Sequence, residues 1–438
     1  MAMQSSPVIP SQRAQRRFKA LGSGELPLLL LGGIAAFSAY FAMYAFRKPL
    51  TVATYDDVGF MPLGLDYKSA LVIMQVIGYA LSKLIGIRVI AGFGRKGRAR
   101  AIAGLIGVSW AALVAFALVS PALGLVCVFF NGLPLGMIWG LVFSYVEGRR
   151  VSELLGAMLC ASFIVSSGLV KSAGALLLQA GVSERWMPAL TGLPFMPLLL
   201  LSLWMLERLP PPSAQDEAER APRAPMGRTD RAAFLRDHGL PLALLVGGYV
   251  LLTAMRDFRD NFAPELWNAL GMGGSAAVFS QSEVPVAVIA LSGLAALMLV
   301  RDNLRALLAM HALILLGGLM LGLGTLAFQA GWLAPMPWMI VTGAGLYLAY
   351  TPFNAMLFDR MIAVVGRAGN AGFLIYVADA SGYAGSVALL VWRSLFAPGR
   401  NWLPVFIDCA YLASALVVAF TLCSALVFMA RRTEKGHD

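Results

Sequence analysis

Apolar runs of roughly 20 residues, separated by short polar stretches, recur along this chain from Leu26 to Met429. A helix rises about 1.5 Å per residue, so each run is long enough to cross about 30 Å of hydrocarbon. The pattern predicts twelve transmembrane helices, at 26–50, 66–90, 99–119, 122–146, 154–179, 185–206, 240–262, 275–299, 305–328, 334–358, 370–395 and 402–430. The first run, Leu26–Phe46, is too long for a removable signal peptide and lacks a small-residue cleavage site, so it counts as the first span. Between the sixth and seventh runs the pattern changes. Leu209-Pro-Pro-Pro, followed by Asp216, Glu217, Glu219, Arg220, Arg223, Arg228 and Arg231, makes a polar linker over 207–239. The linker divides the chain into an N-terminal six-helix bundle, 26–206, and a C-terminal one, 240–430, with tails at 1–25 and 431–438. The expected class is an all-α membrane protein of two pseudo-symmetric six-helix bundles.

Composition agrees. The 438 residues are 59% hydrophobic and 13% charged, where a soluble domain carries about 25% charged residues. The net charge of +11 is a topology signal. With both ends inside, Lys and Arg concentrate in the cytoplasmic segments: Arg13, Arg16, Arg17 and Lys19 in the first tail, Arg95, Lys96, Arg98 and Arg100 in the second loop, Arg431, Arg432 and Lys435 in the last tail. These runs face anionic lipid and give no reason to expect nucleic acid. The four cysteines and three histidines are dispersed, with no C-x-x-C, so neither a metal nor a cofactor is expected. Gly92-Phe-Gly-Arg-Lys-Gly-Arg lacks the spacing and terminal Ser/Thr of an ATP-binding loop. No G-x-S-x-G or H-E-x-x-H occurs, and nothing points to an enzyme.

Charges inside the spans are the informative positions, because one at mid-bilayer costs roughly 2.5–3.5 kcal/mol unless it faces a cavity or a partner. They are Arg47, Lys48, Lys83, Lys171, Arg256, Asp257, Arg259, Asp260, Glu283 and Asp379. Arg47 and Arg256 fall at corresponding places in the first helix of each half, about 209 residues apart. Two guanidiniums meeting across a central cavity form a clamp for phosphate or carboxylate, with Tyr40, Tyr44 and Tyr249 one to two turns away. The structural alternative for any of these charges is a snorkelling side chain or a fixed ion pair. Depth along the spans puts Lys83 level with Asp379 and Lys171 level with Glu283, which predicts two cross-bundle ion pairs. Gly132, Gly136 and Gly140 suit close helix packing, and Pro134 and Pro352 mark helices able to bend.

Three places carry a family resemblance: Tyr44-Ala-Phe-Arg47-Lys48-Pro-Leu with Leu81-Ser-Lys83-Leu; Leu252-Thr-Ala-Met-Arg256 running to Pro264-Glu-Leu-Trp267; and Ala371-Gly-Phe373 through Tyr376 to Gly382-Tyr383. The chain resembles the major facilitator superfamily over nearly its whole length, and within it the organophosphate:phosphate antiporters. The resemblance implies phosphate binding by Arg47 and Arg256, and gating ion pairs at Lys48, Asp260 and Glu283, so that Glu283 answers to Lys48 as well as to Lys171. It also implies a monomer in a bacterial inner membrane. The fifth-helix histidine of that branch is Ser162 here, in Cys160-Ala161-Ser162, and the superfamily loop reads Gly94-Arg95-Lys96-Gly97-Arg98 without its acid. The expected function is exchange of a phosphorylated metabolite for phosphate by alternating access, with a small anionic solute and the lipid bilayer as partners. A proton-coupled carrier using Asp379 or Glu283, and a receptor built on the transporter fold, are the alternatives.

Overall fold

The computed structural model of the protein describes residues 25–92, 97–146, 152–211, 228–365, 371–397 and 399–435. Every regular element among them is helical. The first half holds α1 (Glu25–Tyr44), α2 (Tyr67–Gly92), α3 (Arg98–Leu118), α4 (Pro121–Leu135), α5 (Ile138–Val146), α6 (Ser152–Gln179), α7 (Met187–Gly192) and α8 (Met196–Glu207). The second holds α9 (Arg228–Asn261), α10 (Ala263–Ala269), α11 (Val278–Met298), α12 (Asn303–Gln329), α13 (Pro335–Ala355), α14 (Leu357–Val365), α15 (Ala371–Phe396) and α16 (Trp402–Lys435).

Three pairs continue one another as single rods: α4 with α5, α7 with α8, and α13 with α14. Each half thus has six spanning rods, and α10 is a short helix beyond the end of α9. An even number of rods per half puts the start of α1, the join between the halves and the end of α16 on one side, the terminal face. The turn after α1 and the helix α10 lie on the other, the far face.

Local sequence accounts for the helix ends. Pro121 and Pro335 open α4 and α13, each behind a residue in extended conformation, where the missing N–H of proline costs nothing. Asp302 caps α12 by accepting from the Arg305 amide at 2.8 Å. Pro134 and Pro352 lie within the last turn of α4 and α13, just before the interruptions that separate α5 and α14. Gly132 and Gly136 bring α4 against α2; a Cβ on Gly136 would stand 2.5 Å from the Tyr79 carbonyl oxygen.

Three boundaries differ from the hydropathy pattern. α1 stops at Tyr44, not near residue 50. The backbone tightens through i→i−3 bonds from Ala45, Phe46 and Arg47, and Pro49 then starts a 3-10 turn, since its ring cannot follow a helical residue four back. In the second half, α9 begins at Arg228, inside the expected linker, and α16 runs on to Lys435. Arg, Ala and Leu keep a helix going in water, where an apolar pattern gives no signal. The charged run 212–227, the basic tail before residue 25 and the loop residues Arg95 and Lys96 lie outside the described residues.

Among the described residues, eight rods are long and apolar enough to cross a membrane by length and composition alone. The four that are not contain α1, α2, α13 and α15, which contribute Tyr40, Tyr44, Tyr79, Lys83, Tyr350, Asn354, Asp379 and Tyr383 to the cavity described next.

Candidate functional site

A cavity enclosing about 600 Å³, its mouth included, lies between the halves. α1 and the turn after it contribute Tyr40, Tyr44 and Arg47; α2 contributes Tyr79 and Lys83; α5 and α6 contribute Trp139, Cys160 and Phe163. From the second half come Arg256 on α9, Tyr350 and Asn354 on α13, and Ile375, Asp379 and Tyr383 on α15. The arginines form the deep end, and the lining extends from them toward the terminal face.

Arg47 owes its place to the end of α1. Where the helix breaks, the carbonyls of Phe46 and Arg47 need donors. Asn131 on α4 donates its amide to Phe46 O at 2.9 Å, and Gln75 on α2 donates to Arg47 O at 3.2 Å. Gln75 also donates to the Asn131 side-chain oxygen at 2.7 Å, which locks the pair. The Arg47 guanidinium lies over the Tyr79 ring, 4.0 Å from its centroid, a contact worth about 0.5–2 kcal/mol. Arg47 is 9% exposed, and its Nε has no hydrogen-bond partner. Among the described residues, no carboxylate pairs with it.

Arg256 faces the same cavity from the continuous helix α9 and repeats the stacking, 4.1 Å from the Tyr350 ring centroid. Its charge is already met. Nη2 and Nε donate to Asp257 Oδ1 at 2.7 and 3.2 Å, and Ser386 donates to the other oxygen at 2.8 Å.

Lys83 and Asp379, expected at one depth, form an ion pair across the halves. Tyr79 and Tyr383 flank it, their centroids 5.6 and 5.1 Å from Lys83 Nζ. Tyr249 lies behind the wall instead of lining it: its hydroxyl donates its one proton to Asp379 Oδ1 at 2.5 Å and lies within hydrogen-bond distance of the Tyr350 hydroxyl at 3.1 Å.

The far face is closed by a second set of charges. Lys48 and Lys171, both on the first half, converge on Asp260. Ser167 donates to the same carboxylate at 2.5 Å, and Lys48 also donates to Asn261 at 3.0 Å. Lys68 meets Glu265 at 2.5 Å, and Arg393 meets Asp66 at 3.1 Å. Neither expected partner of Glu283 reaches it. Lys171 and Lys48 both take Asp260, and Glu283 accepts from Arg259 of its own half at 2.6 Å. The cause is azimuth rather than depth. Gly343 leaves room for the Arg259 guanidinium beside α13, and a Cβ there would lie 2.6 Å from Arg259 Cζ. Gly168 lets α6 press against Glu283, which sends Lys171, one turn on, past it to the end of α9.

Ser162 is fully buried and donates to Leu159 O of its own helix at 2.6 Å. The cavity side of α6 shows Cys160 and Phe163 instead. Tyr79, Tyr350, Tyr383, Trp139, Asn354 and the clamp of Asp257 on Arg256 were not among the expected site residues. A signal for some of them was present: Tyr79-x-x-x-Lys83 and Asp379-x-x-x-Tyr383 each place a ring and a charge on one helix face. Outside the spans, Glu184 accepts from the Thr54 and Tyr55 amides at 3.3 and 2.9 Å. Burial pushes its carboxyl above the usual range, with the two amides opposing.

Solved structures of similar architecture are transporters. A D-xylose–proton symporter aligns with TM-score 0.58 and 16% identity over 90% of this chain and 97% of that one. The nucleoside transporter NupG gives 0.59 and 15% over 90% and 98%. A bacterial homologue of the human lysosomal transporter Spinster, inward-facing and unoccupied, gives 0.57 and 16% over 93% and 98%. The protein therefore has the major facilitator fold and is a multi-pass membrane protein. No curated protein matches the chain. A family model matches residues 49–432, and the chain belongs to that family, the family of unknown function DUF5690.

Proposed function

We propose that the protein is a secondary transporter that moves a small organic anion by alternating access to the cavity between its halves. One observation carries this reading: Arg47 presents to a membrane-embedded cavity a guanidinium that no carboxylate among the described residues pairs with, and Arg256 stands in the opposite wall. A buried cation without a partner is strongly disfavoured, and a ligand that supplies the missing charge stabilises it. The excess of Lys and Arg expected near the terminal face supports a cytoplasmic position for that face. The cavity then opens inward, with the Lys48–Asp260–Lys171 cluster shutting the far side.

The named cargoes of the neighbours, xylose and nucleosides, belong to those proteins. Within the anion class, the sequence resemblance implies a phosphorylated metabolite exchanged for phosphate. Counterflow tests the transport reading itself: proteoliposomes loaded with an unlabelled organic anion, phosphate ester or carboxylate, should accumulate the labelled form of that anion, and Arg47→Lys should abolish accumulation with normal insertion and folding. Uptake by that variant at the wild-type rate would sink the reading. A second reading, proton-coupled transport, is favoured by Asp379, the carboxylate that lines the cavity and holds Lys83 across the halves. Uptake driven by a pH jump without counter-anion would support it.

A further inference from the structure

The cavity's own charges and rings narrow the class of anion, given the reading of Arg47 as the anion site. Its walls carry three cations. Arg256 is matched by Asp257, and Lys83 by Asp379, which leaves Arg47 alone. A singly charged head cancels that excess. A doubly charged head leaves one negative charge over, in a cavity whose wall already carries the Asp379 carboxylate, where it is disfavoured.

The body of the ligand meets mostly ring faces. Several polar groups of the wall are bonded to one another: Tyr40 to Tyr79 at 3.2 Å, Tyr350 to Tyr249 at 3.1 Å, and Asn354 to Tyr249 at 3.2 Å. Trp139, stacked on Phe143 with centroids 4.9 Å apart, and Phe163 add apolar surface. A polyhydroxylated body would find few free partners here, and a flat apolar one finds stacking surfaces. The Arg47 guanidinium is covered on one face by Tyr79, so the N–H edge in its plane is what it offers, and that edge pairs with a carboxylate through two parallel bonds.

We infer that the cavity takes a ring-bearing organic monoanion of the aromatic carboxylate class, in place of the phosphorylated metabolite that the resemblance implies, its carboxylate on Arg47 and its ring against the tyrosine and tryptophan walls. The same balance makes Asp379 a specificity-determining residue, because it holds Lys83 away from the ligand.

Calorimetric binding to the purified full-length protein at neutral pH tests this with four probes: benzoate, the flexible monoanion hexanoate, the dianion phthalate and phenyl phosphate. Benzoate should bind at least about tenfold tighter than the other three, and Arg47→Gln should remove its binding. Asp379→Asn frees Lys83 and should raise affinity for phthalate at least about tenfold. Phthalate or phenyl phosphate binding the wild type as tightly as benzoate overturns the monoanion assignment, whether or not the Asp379 variant folds. Hexanoate equal to benzoate overturns the ring. No gain of phthalate binding by a folded Asp379→Asn protein overturns the role of Asp379. Failure of all four probes removes the anion reading itself, and the other outcomes leave that reading standing.

Discussion

The two halves treat the same position differently. In the first, the helix breaks at Tyr44, and Arg47 stands in the turn beyond, pinned through its backbone and left without a counter-charge. In the second, α9 runs unbroken to Asn261, and Arg256 is neutralised by its own neighbour Asp257. The break sets Lys48 where the continuous helix can bring Asp260 and Asn261 to it. Strict symmetry would have set equivalent groups against each other. Divergence at one helix end thus yields both a cation that no described carboxylate neutralises and a complementary pair of charged surfaces that meet across the far face.

Five measurements break or sharpen this contrast. The largest effect is expected from Arg47→Lys, which loses the planar donor fork and should cut transport by about 100-fold or more without changing thermal stability. Next is Asp260→Asn, which strands Lys48 and Lys171; removing one partner of a buried ion pair costs about 3–5 kcal/mol. A fall in unfolding temperature and easier labelling from the far side should accompany it. Arg256→Lys keeps a charge beside Asp257, so a loss of only about tenfold is expected. Equal losses at the two arginines would refute the asymmetry. Asn131→Leu leaves the Phe46 carbonyl without its donor, at a cost of about 1–3 kcal/mol, and ligand affinity should drop with the stability.

The smallest effect concerns pH at Glu184. Its carboxyl is raised in the folded state, so the stability it contributes is fully present below the unfolded value and is lost as pH rises through the folded one. Hydrogen exchange of the Thr54 and Tyr55 amides should therefore be better protected, after correction for intrinsic rates, in the acid carboxylate range than at neutral pH.

The twelve rods were legible in the sequence because crossing hydrocarbon leaves a long apolar run whatever the tertiary contacts are. The end of α1 was not, since apolar residues continue past Tyr44 and only Pro49 hints at a break. Arg47, Arg256, Tyr40 and Tyr44 were legible as candidates because polar groups are scarce at that depth. Pairing was harder. Depth put Lys83 beside Asp379, yet the same argument set Lys171 against Glu283, because counting residues along a helix gives height and no direction around it. Direction was set by Gly168 and Gly343, whose missing side chains decide which helices touch.

Cys160, 5% exposed, places a thiol in the wall of this cavity, at the other end from the arginines. Cys127, Cys409 and Cys423 line no part of that space. A membrane-impermeant thiol reagent can reach Cys160 only by way of the face that is open at that moment. Under the proposed alternating access, rates of modification from the two sides of a vesicle would therefore count how long the protein spends in each orientation, with no engineered label.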